Sequence, residues 1–398
     1  MTVVDTEDVE RTAVVGAGEM GRGIAAVQAM AGYETTLHDV DEDQLAAAME
    51  HVEWSYGKFV ERGELTEEEA DAALERVGTA STLAEAVADA DFVTEAASER
   101  MAVKERIFTD VDDLVGDEAI IATNTSGLNV TALAETTNRP ERVAGMHWFN
   151  PPTLMELVEI IETEHTAPAV VETCEGLVER FGKTSIHCKR DVPLFIVNRC
   201  MRPYGEAAAW LVHLGEADIE AVDAAMEYRE RFPMGPFRLT DYLGAIQIRV
   251  EQEEDLLADP RPLGYDTRVC PLLHEKYEQG HYGRKAGRGF YDWEGGDPEV
   301  PESRADDSDP MLVWAPVINE AAKMVQYDVA TPEDVDTGTR LGGNWPVGPL
   351  EKADEVGAEE VVHRCVEVAN VHERIENVAE TLPCDLLVEK AKTGETFH

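Results

Sequence analysis

From Arg11 to about Arg190, short apolar runs closed by Gly or polar residues alternate with longer Ala-rich stretches of helical period. That alternation marks βαβ units on a parallel sheet. Residues 12–15, 34–37, 92–95, 119–123, 143–147 and 157–161 are expected as strands, with helices over 20–30, 45–61 and 104–114. Past Asp191 the strand pattern fades, and Ala-rich periodic segments such as 202–213 and 219–226 predict an all-helical region. The acidic stretch 294–310 carries Gly and Pro and has no hydrophobic period, so it reads as a linker. The expected division is an α/β domain over 1–190, a helical domain over 191–293, the linker over 294–310 and a second helical domain over 311–398.

The segments on either side of that linker match at an offset of 113 residues. Phe232-Pro233-Met234-Gly235-Pro236-Phe237 is followed by Asp241 and Gly244, and Trp345-Pro346-Val347-Gly348-Pro349-Leu350 by Asp354 and Gly357. Pro203 answers Pro316, and Asp223 answers Asp336. Agreement at this many Gly, Pro and Asp positions points to tandem duplication of one helical unit. Two such units packed on each other would form a pseudo-dimer inside one chain, with a homodimer as a further level of assembly.

Composition narrows the function classes. With 43% hydrophobic residues in 398, the chain has enough apolar material for packed cores. A net charge of −47 repels nucleic acid and anionic membranes, so neither is an expected partner. Only 10 of the 34 basic residues are Lys, and the acids are spread in many short clusters. This reads as a halophilic, haloarchaeal-type composition, because salt near 1 M shrinks the Debye length to about 3 Å and screens the self-repulsion; an ordinary acidic mesophile protein is the plainer alternative. The first ten residues are polar and acidic, and no apolar run of about 18 residues follows. Six scattered cysteines with no CxxC pair argue against a zinc site or a disulfide framework, and suit a reducing cytoplasm.

Val14-Val15-Gly16-Ala17-Gly18-Glu19-Met20-Gly21 is a G-x-G-x-x-G turn directly after an apolar strand and at the start of a helix. Gly16 permits the tight turn, Gly18 and Met20 bring backbone amides to a pyrophosphate, and Gly21 allows close helix–sheet packing. A second strand ends in Asp39, 23 residues after Gly16, near the spacing of a carboxylate that binds an adenosine ribose. A carboxylate there repels a 2′-phosphate, so NAD is the expected cofactor. The plainer reading of Asp39 is a helix N-cap.

These features combine with Asp91-Phe92-Val93-Thr94-Glu95-Ala96-Ala97-Ser98-Glu99, Thr123-Asn124-Thr125-Ser126, Gly145-Met146-His147-Trp148-Phe149-Asn150-Pro151 and Phe195-Ile196-Val197-Asn198-Arg199. With Pro233-Met234-Gly235-Pro236-Phe237, the set resembles the 3-hydroxyacyl-CoA dehydrogenases, in family order from about Arg11 to Trp293. The later helical segment is similar to that family's C-terminal domain a second time. The resemblance implies a Rossmann-type doubly wound α/β domain followed by two tandem all-α domains. It also implies NAD-dependent oxidation of an (S)-3-hydroxyacyl-CoA to the 3-oxoacyl-CoA, with the 3-hydroxybutyryl thioester as a short-chain example.

Oxidising a secondary alcohol needs a base for the hydroxyl proton, and imidazole takes a proton near neutral pH. His147 ends an apolar strand at the expected ligand-binding edge and is the candidate base; a structural histidine is the plainer reading. Glu159, an acid inside Leu157-Val158-Glu159-Ile160-Ile161, needs a partner if buried, and the resemblance pairs it with His147. By the same resemblance Ser126 and Asn198 donate to the reacting oxygen and Asn150 lines the pocket. Glu99 and Lys104 lie near the nicotinamide side and the cofactor or CoA, with Asn124 also on the cofactor. Turn and helix caps, or a solvated helix start, are the plainer alternatives. Lys58 is a candidate for a CoA phosphate, or a plain surface residue. Asn198 belongs to the helical region, so the resemblance implies a site completed between domains. The basic loop Gly283-Arg284-Lys285-Ala286-Gly287-Arg288-Gly289-Phe290 reads as structural. There are two departures: Leu194 replaces a usual Gly, and Met311 answers Asn198 in the second helical copy, which is expected to be structural. The competing functions are a dehydrogenase of a free hydroxy acid, of sugar-acid or carnitine type, and a non-catalytic nucleotide-binding protein.

Overall fold

The computed structural model describes residues 5–264, 268–372 and 382–398. They fall into two compact units, Met1–Asp191 and Val192–His398. The first carries an eight-stranded sheet of β1 (Arg11–Val15), β2 (Glu34–His38), β3 (Val77–Ala80), β4 (Phe92–Glu95), β5 (Ile120–Thr123), β6 (Val143–Trp148), β7 (Leu157–Ile161) and β8 (Thr184–Cys188). The order across the sheet is β3-β2-β1-β4-β5-β6-β7-β8. All neighbours are parallel except β6 and β7, so β7 and β8 run against the rest. The central strands are buried on both faces, and that is why they read as unbroken apolar runs. The expected strands all form, most with bounds shifted by one residue. The pattern missed β3 (VGTA) and β8 (TSIHC), which lie at the two sheet edges and are only partly buried.

Seven helices cover this sheet: α1 (Glu19–Met30), α2 (Glu42–Arg62), α3 (Glu67–Glu75), α4 (Leu83–Val87), α5 (Met101–Asp112), α6 (Val130–Ala134) and α7 (Pro168–Arg180). Asp41 caps α2 by accepting from the Asp43 and Gln44 amides, and Thr66 with Glu69 forms a capping box on α3. Val14, Leu37, Phe92, Ile120, Met146 and Trp148 join Ile24 and Leu177 in one core.

The second unit is helical. It runs through α8 (Val197–His213), α9 (Ile219–Ala224), α10 (Pro236–Leu243), α11 (Ala245–Glu251), α12 (Glu253–Leu257) and α13 (Pro271–Glu278), then α14 (Met311–Gln326), α15 (Pro332–Gly343), α16 (Pro349–Val356), α17 (Ala358–His372) and α18 (Asp385–Thr393). The 113-residue offset holds in three dimensions: α10 and α16 coincide end to end under it. Asp223 accepts from the Phe237 and Arg238 amides, and its counterpart Asp336 accepts from those of Leu350 and Glu351. A side chain at Gly235 or Gly348 would strike that aspartate. The Glu227–Arg238 ion pair of the first copy returns in the second as Arg340–Glu351, with the charges exchanged. The equivalent rings of Phe232 and Trp345 meet at 5.3 Å, and Arg199 on α8 bonds Glu320 on α14 at 2.5 Å. Both helical copies thus lie in one compact unit rather than in two separated by a linker.

The linker expectation for 294–310 is corrected. Among the described residues this stretch is a strap on the first helical copy: Val300 and Ala305 are buried, Tyr228 donates to the Val300 carbonyl, and Arg229 donates to that of Ser308. Its apolar contacts come from two small side chains, and backbone carbonyls and the Arg304 guanidinium supply polar ones, so no hydrophobic period announces it. Leu194, where the resemblance led one to expect Gly, has φ 68°, in the left-handed region that glycine occupies freely. The basic loop is structural as expected: its chain wraps Asp241, which accepts from the Phe290 and Tyr291 amides and the Trp293 indole.

Candidate active site

The glycine turn packs as its spacing requires. A Cβ on Gly16 would stand 2.6 Å from the Ala96 carbonyl oxygen, and one on Gly21 would collide with the Gly16 carbonyl. Nothing lies within 4 Å of a Cβ built on Gly18, and α1 begins there without a side-chain cap. The first turn of α1, which carries Met20, thus meets open space with amides that no side chain caps, which fits a pyrophosphate. Asp39 Oδ2 accepts from the Ala17 amide at 2.8 Å and Oδ1 from the Asp41 amide at 3.1 Å, so its carboxylate is tied to the glycine turn. Each oxygen keeps a second lone pair for a ribose hydroxyl. The N-cap reading of Asp39 fails, because Asp41 caps α2.

His147 and Glu159 face each other in the antiparallel register of β6 and β7. His147 Nδ1 is 2.6 Å from Glu159 Oε2, Glu159 has no solvent exposure, and the imidazole stacks obliquely on Phe149 at 4.7 Å. The residue precedes Trp148, whose amide donates to Asn124 Oδ1 at 2.8 Å. Asn124 therefore locks the turn after β5 to the end of β6. Because β1, β4, β5 and β6 are parallel, His147 and the glycine turn lie along the same edge of the sheet.

Ser126 is exposed on the turn after β5. Its amide donates to Glu99 Oε1 at 2.8 Å and its hydroxyl to the same oxygen at 3.2 Å; Thr125 Oγ1 adds a bond of 2.6 Å. The cap of the following helix, α6, is Asn129. Asn150 is exposed just beyond β6. Lys58 lies on α2, partly exposed, and pairs with Glu61 at 2.6 Å. Asn198 is in the first turn of α8, in the second unit, where the cap position is Ile196.

Lys104 does not lie on a solvated helix start: it is 1% exposed, with Nζ 2.8 Å from both oxygens of Glu95 and 3.5 Å from Glu99 Oε2. Glu95 is the residue that sequence reasoning missed. Its carboxylate has no solvent exposure and also accepts from the Ala97 amide and Thr123 Oγ1, both at 2.7 Å. The signal was present, since Glu95 closes an apolar strand just as Glu159 interrupts one.

Comparison with known proteins agrees with this geometry. The family model described as "3-hydroxyacyl-CoA dehydrogenase, NAD binding domain" matches residues 11–192, and the "3-hydroxyacyl-CoA dehydrogenase, C-terminal domain" model matches twice, over 195–293 and 312–396. A 3-hydroxybutyryl-CoA dehydrogenase of Bradyrhizobium diazoefficiens is 39% identical over 73% of this chain and 97% of its own length. The 3-hydroxyadipyl-CoA dehydrogenase of Escherichia coli is 30% identical over 96% of this chain and 98% of its own. A crystal structure of 3-hydroxybutyryl-CoA dehydrogenase from Escherichia coli K12 superposes with a TM-score of 0.83 at 28% identity, over 97% of this chain and 98% of that one. The chain belongs to the 3-hydroxyacyl-CoA dehydrogenase family, NAD-dependent oxidoreductases of 3-hydroxyacyl thioesters.

Proposed function

We propose that the oxidation of 3-hydroxyacyl-CoA by this chain runs through His147 as general base. The observation that carries this reading is the 2.6 Å contact of its Nδ1 with a fully buried Glu159. A buried carboxylate that accepts Nδ1–H fixes the tautomer, leaves Nε2 as the basic nitrogen and stabilises the imidazolium formed when the substrate proton arrives. NAD, when bound on the glycine turn, supplies the acceptor for the hydride. The Ser126 hydroxyl exchanges its long bond to Glu99 for the substrate oxygen, where charge changes during transfer. Asn198 is assigned the second donor from its place in the family motif, Asn150 the pocket wall and Lys58 a CoA phosphate. Asn124 acts on the cofactor side by holding its turn against β6.

The substrate is a short 3-hydroxyacyl thioester. Relatives named for 3-hydroxybutyryl-CoA and for 3-hydroxyadipyl-CoA both support this class, and the latter shares nearly the whole length of this chain. NADH oxidation measured with acetoacetyl-CoA and with free 3-oxo acids tests the reading. The thioester is expected to be preferred by at least about 100-fold in kcat/KM, since remote CoA contacts supply transition-state binding; equal rates would favour a free hydroxy acid dehydrogenase. The same reading places the enzyme in a salty, reducing cytoplasm, supported by the −47 charge and six free cysteines. The two helical copies would serve as an internal pseudo-dimer, supported by the packing of α8 on α14.

A further inference from the structure

The two helical copies of the second unit meet through an ion pair that their duplication does not repeat. Arg199, the residue after Asn198 on α8, is 2% exposed, and its Nε donates to Glu320 Oε1 of α14 at 2.5 Å. Under the 113-residue offset Arg199 is answered by Leu312 and Glu320 by Ala207. Of the two equivalent places, the one beside Asn198 carries the pair and the one beside Met311 does not. A pair that only held the copies together would serve as well at either place.

Arg199 also grips the chain from which α8 begins. Its Nη1 donates to the Pro193 carbonyl and its Nη2 to that of Gly264, each at 3.1 Å. Pro193 is followed by Leu194 and Phe195 at φ 68° and 54°, two consecutive side-chain-bearing residues in the left-handed region. Such backbone is costly and persists only where its surroundings hold it. Phe195 and Ile196 are fully buried, and Asn198 stands two residues past the Ile196 cap. Beyond the guanidinium, Glu320 is 6% exposed and also accepts from Lys323 Nζ at 3.1 Å. Burial opposes its charge, but the cations of Arg199 and Lys323 outweigh that effect and hold its carboxyl below the usual range. The planar guanidinium is thus held between two carbonyls of the first copy and a charged carboxylate of the second.

We propose that Glu320 is a positioning residue: by orienting Arg199 it clamps the 193–195 turn and sets where the first turn of α8 presents Asn198. The second helical copy, with Met311 in place of Asn198, then serves the reaction by supplying a carboxylate as well as by packing. The inference rests on the assignment of Asn198 as a donor to the reacting oxygen. With Glu320 made neutral, Arg199 keeps its two carbonyls but loses the charge-assisted bond that fixes its plane, and the strained turn gains room to relax.

The test combines Glu320→Gln and Asn198→Ala, singly and together, in the full chain. Glu320→Gln is expected to lower kcat with acetoacetyl-CoA and NADH by about 10-fold or more, while NADH affinity, read by fluorescence without acyl-CoA, stays within about 3-fold. In the Asn198→Ala background the same change is expected to cost no more than about 2-fold, since both act through one group. Amide hydrogen exchange over 194–198 should speed by about 10-fold or more, a readout independent of turnover. Arg199→Lys keeps a cation for Glu320 but lacks the fork that reaches both carbonyls, so its kcat should also fall by about 10-fold or more, which an ion pair that only joined the copies would not require. Losses that multiply, a single variant of this pair that turns over within about 3-fold of the wild type, NADH affinity that falls by about 10-fold or more, or unchanged exchange would overturn the proposal. If Glu320→Gln does not fold, Arg199→Lys carries the same cycle with Asn198→Ala, and multiplied losses there overturn it equally. An Asn198→Ala variant that itself turns over within about 3-fold of the wild type would instead sink the assignment of Asn198.

Discussion

Single side chains here owe their properties to partial burial. Lys183, just before β8, donates to the Met155 carbonyl at 2.6 Å and lies 5.9 Å from the centre of the Trp148 ring. Burial lowers its pKa to about 8, against a weaker opposing pull from Glu156. The folded state thus prefers the neutral amine while the unfolded chain keeps the proton to about pH 10.4, so stability rises with pH across that window. Relative to Lys183→Met, which does not titrate, the wild type is expected to gain about 1–2 kcal/mol between about pH 8 and about pH 10, allowing for solvent screening of a partly exposed group. Denaturant unfolding across that range checks it, and a constant difference would contradict the shift. Leu194 shows the same lesson in the backbone: the sequence marked it as an unusual residue, but only its φ of 68° supplies the reason a glycine suits the position.

Elements were legible where their environment was uniform. β4, β5 and β6 are buried throughout and announce themselves as apolar runs, and the segments that form α10 and α16 declare their repeat through position. The edge strands β3 and β8 and the strap at 294–310 did not, because half of their groups face water or bond through the backbone. The site was legible to a similar depth. His147, Glu159 and Ser126 could be named from chemistry and motif, and the structure joins the first two at 2.6 Å. The reach of Glu99 to Ser126 and the burial of Lys104 depend on how α5 leaves β4, which no local pattern encodes. The exchange of charge between Glu227–Arg238 and Arg340–Glu351 was likewise invisible, since the sequence comparison weighed identities and this pair is kept by complementarity.

At the scale of the whole molecule, 81 acidic residues share 34 cations. Single cations accordingly serve several carboxylates: Arg364 contacts Asp309, Glu360 and Glu367, and Arg304 contacts Asp218, Glu220 and Asp307. Such clusters gather more negative charge than one cation neutralises, and added salt screens the remainder. Raising KCl from about 0.1 M to about 1 M cuts the Debye length from about 10 Å to about 3 Å, so melting temperature and activity are expected to rise together. A thermal melt that falls with added KCl would contradict the account of the charge.

The central claim is that His147, held by Glu159, moves the substrate proton. The most direct measurement is the rate of acetoacetyl-CoA reduction by His147→Gln with NADH affinity followed in parallel. The account predicts a fall in kcat of about 100-fold to 10,000-fold with NADH affinity unchanged. A variant that turns over within about 3-fold of the wild type would contradict it.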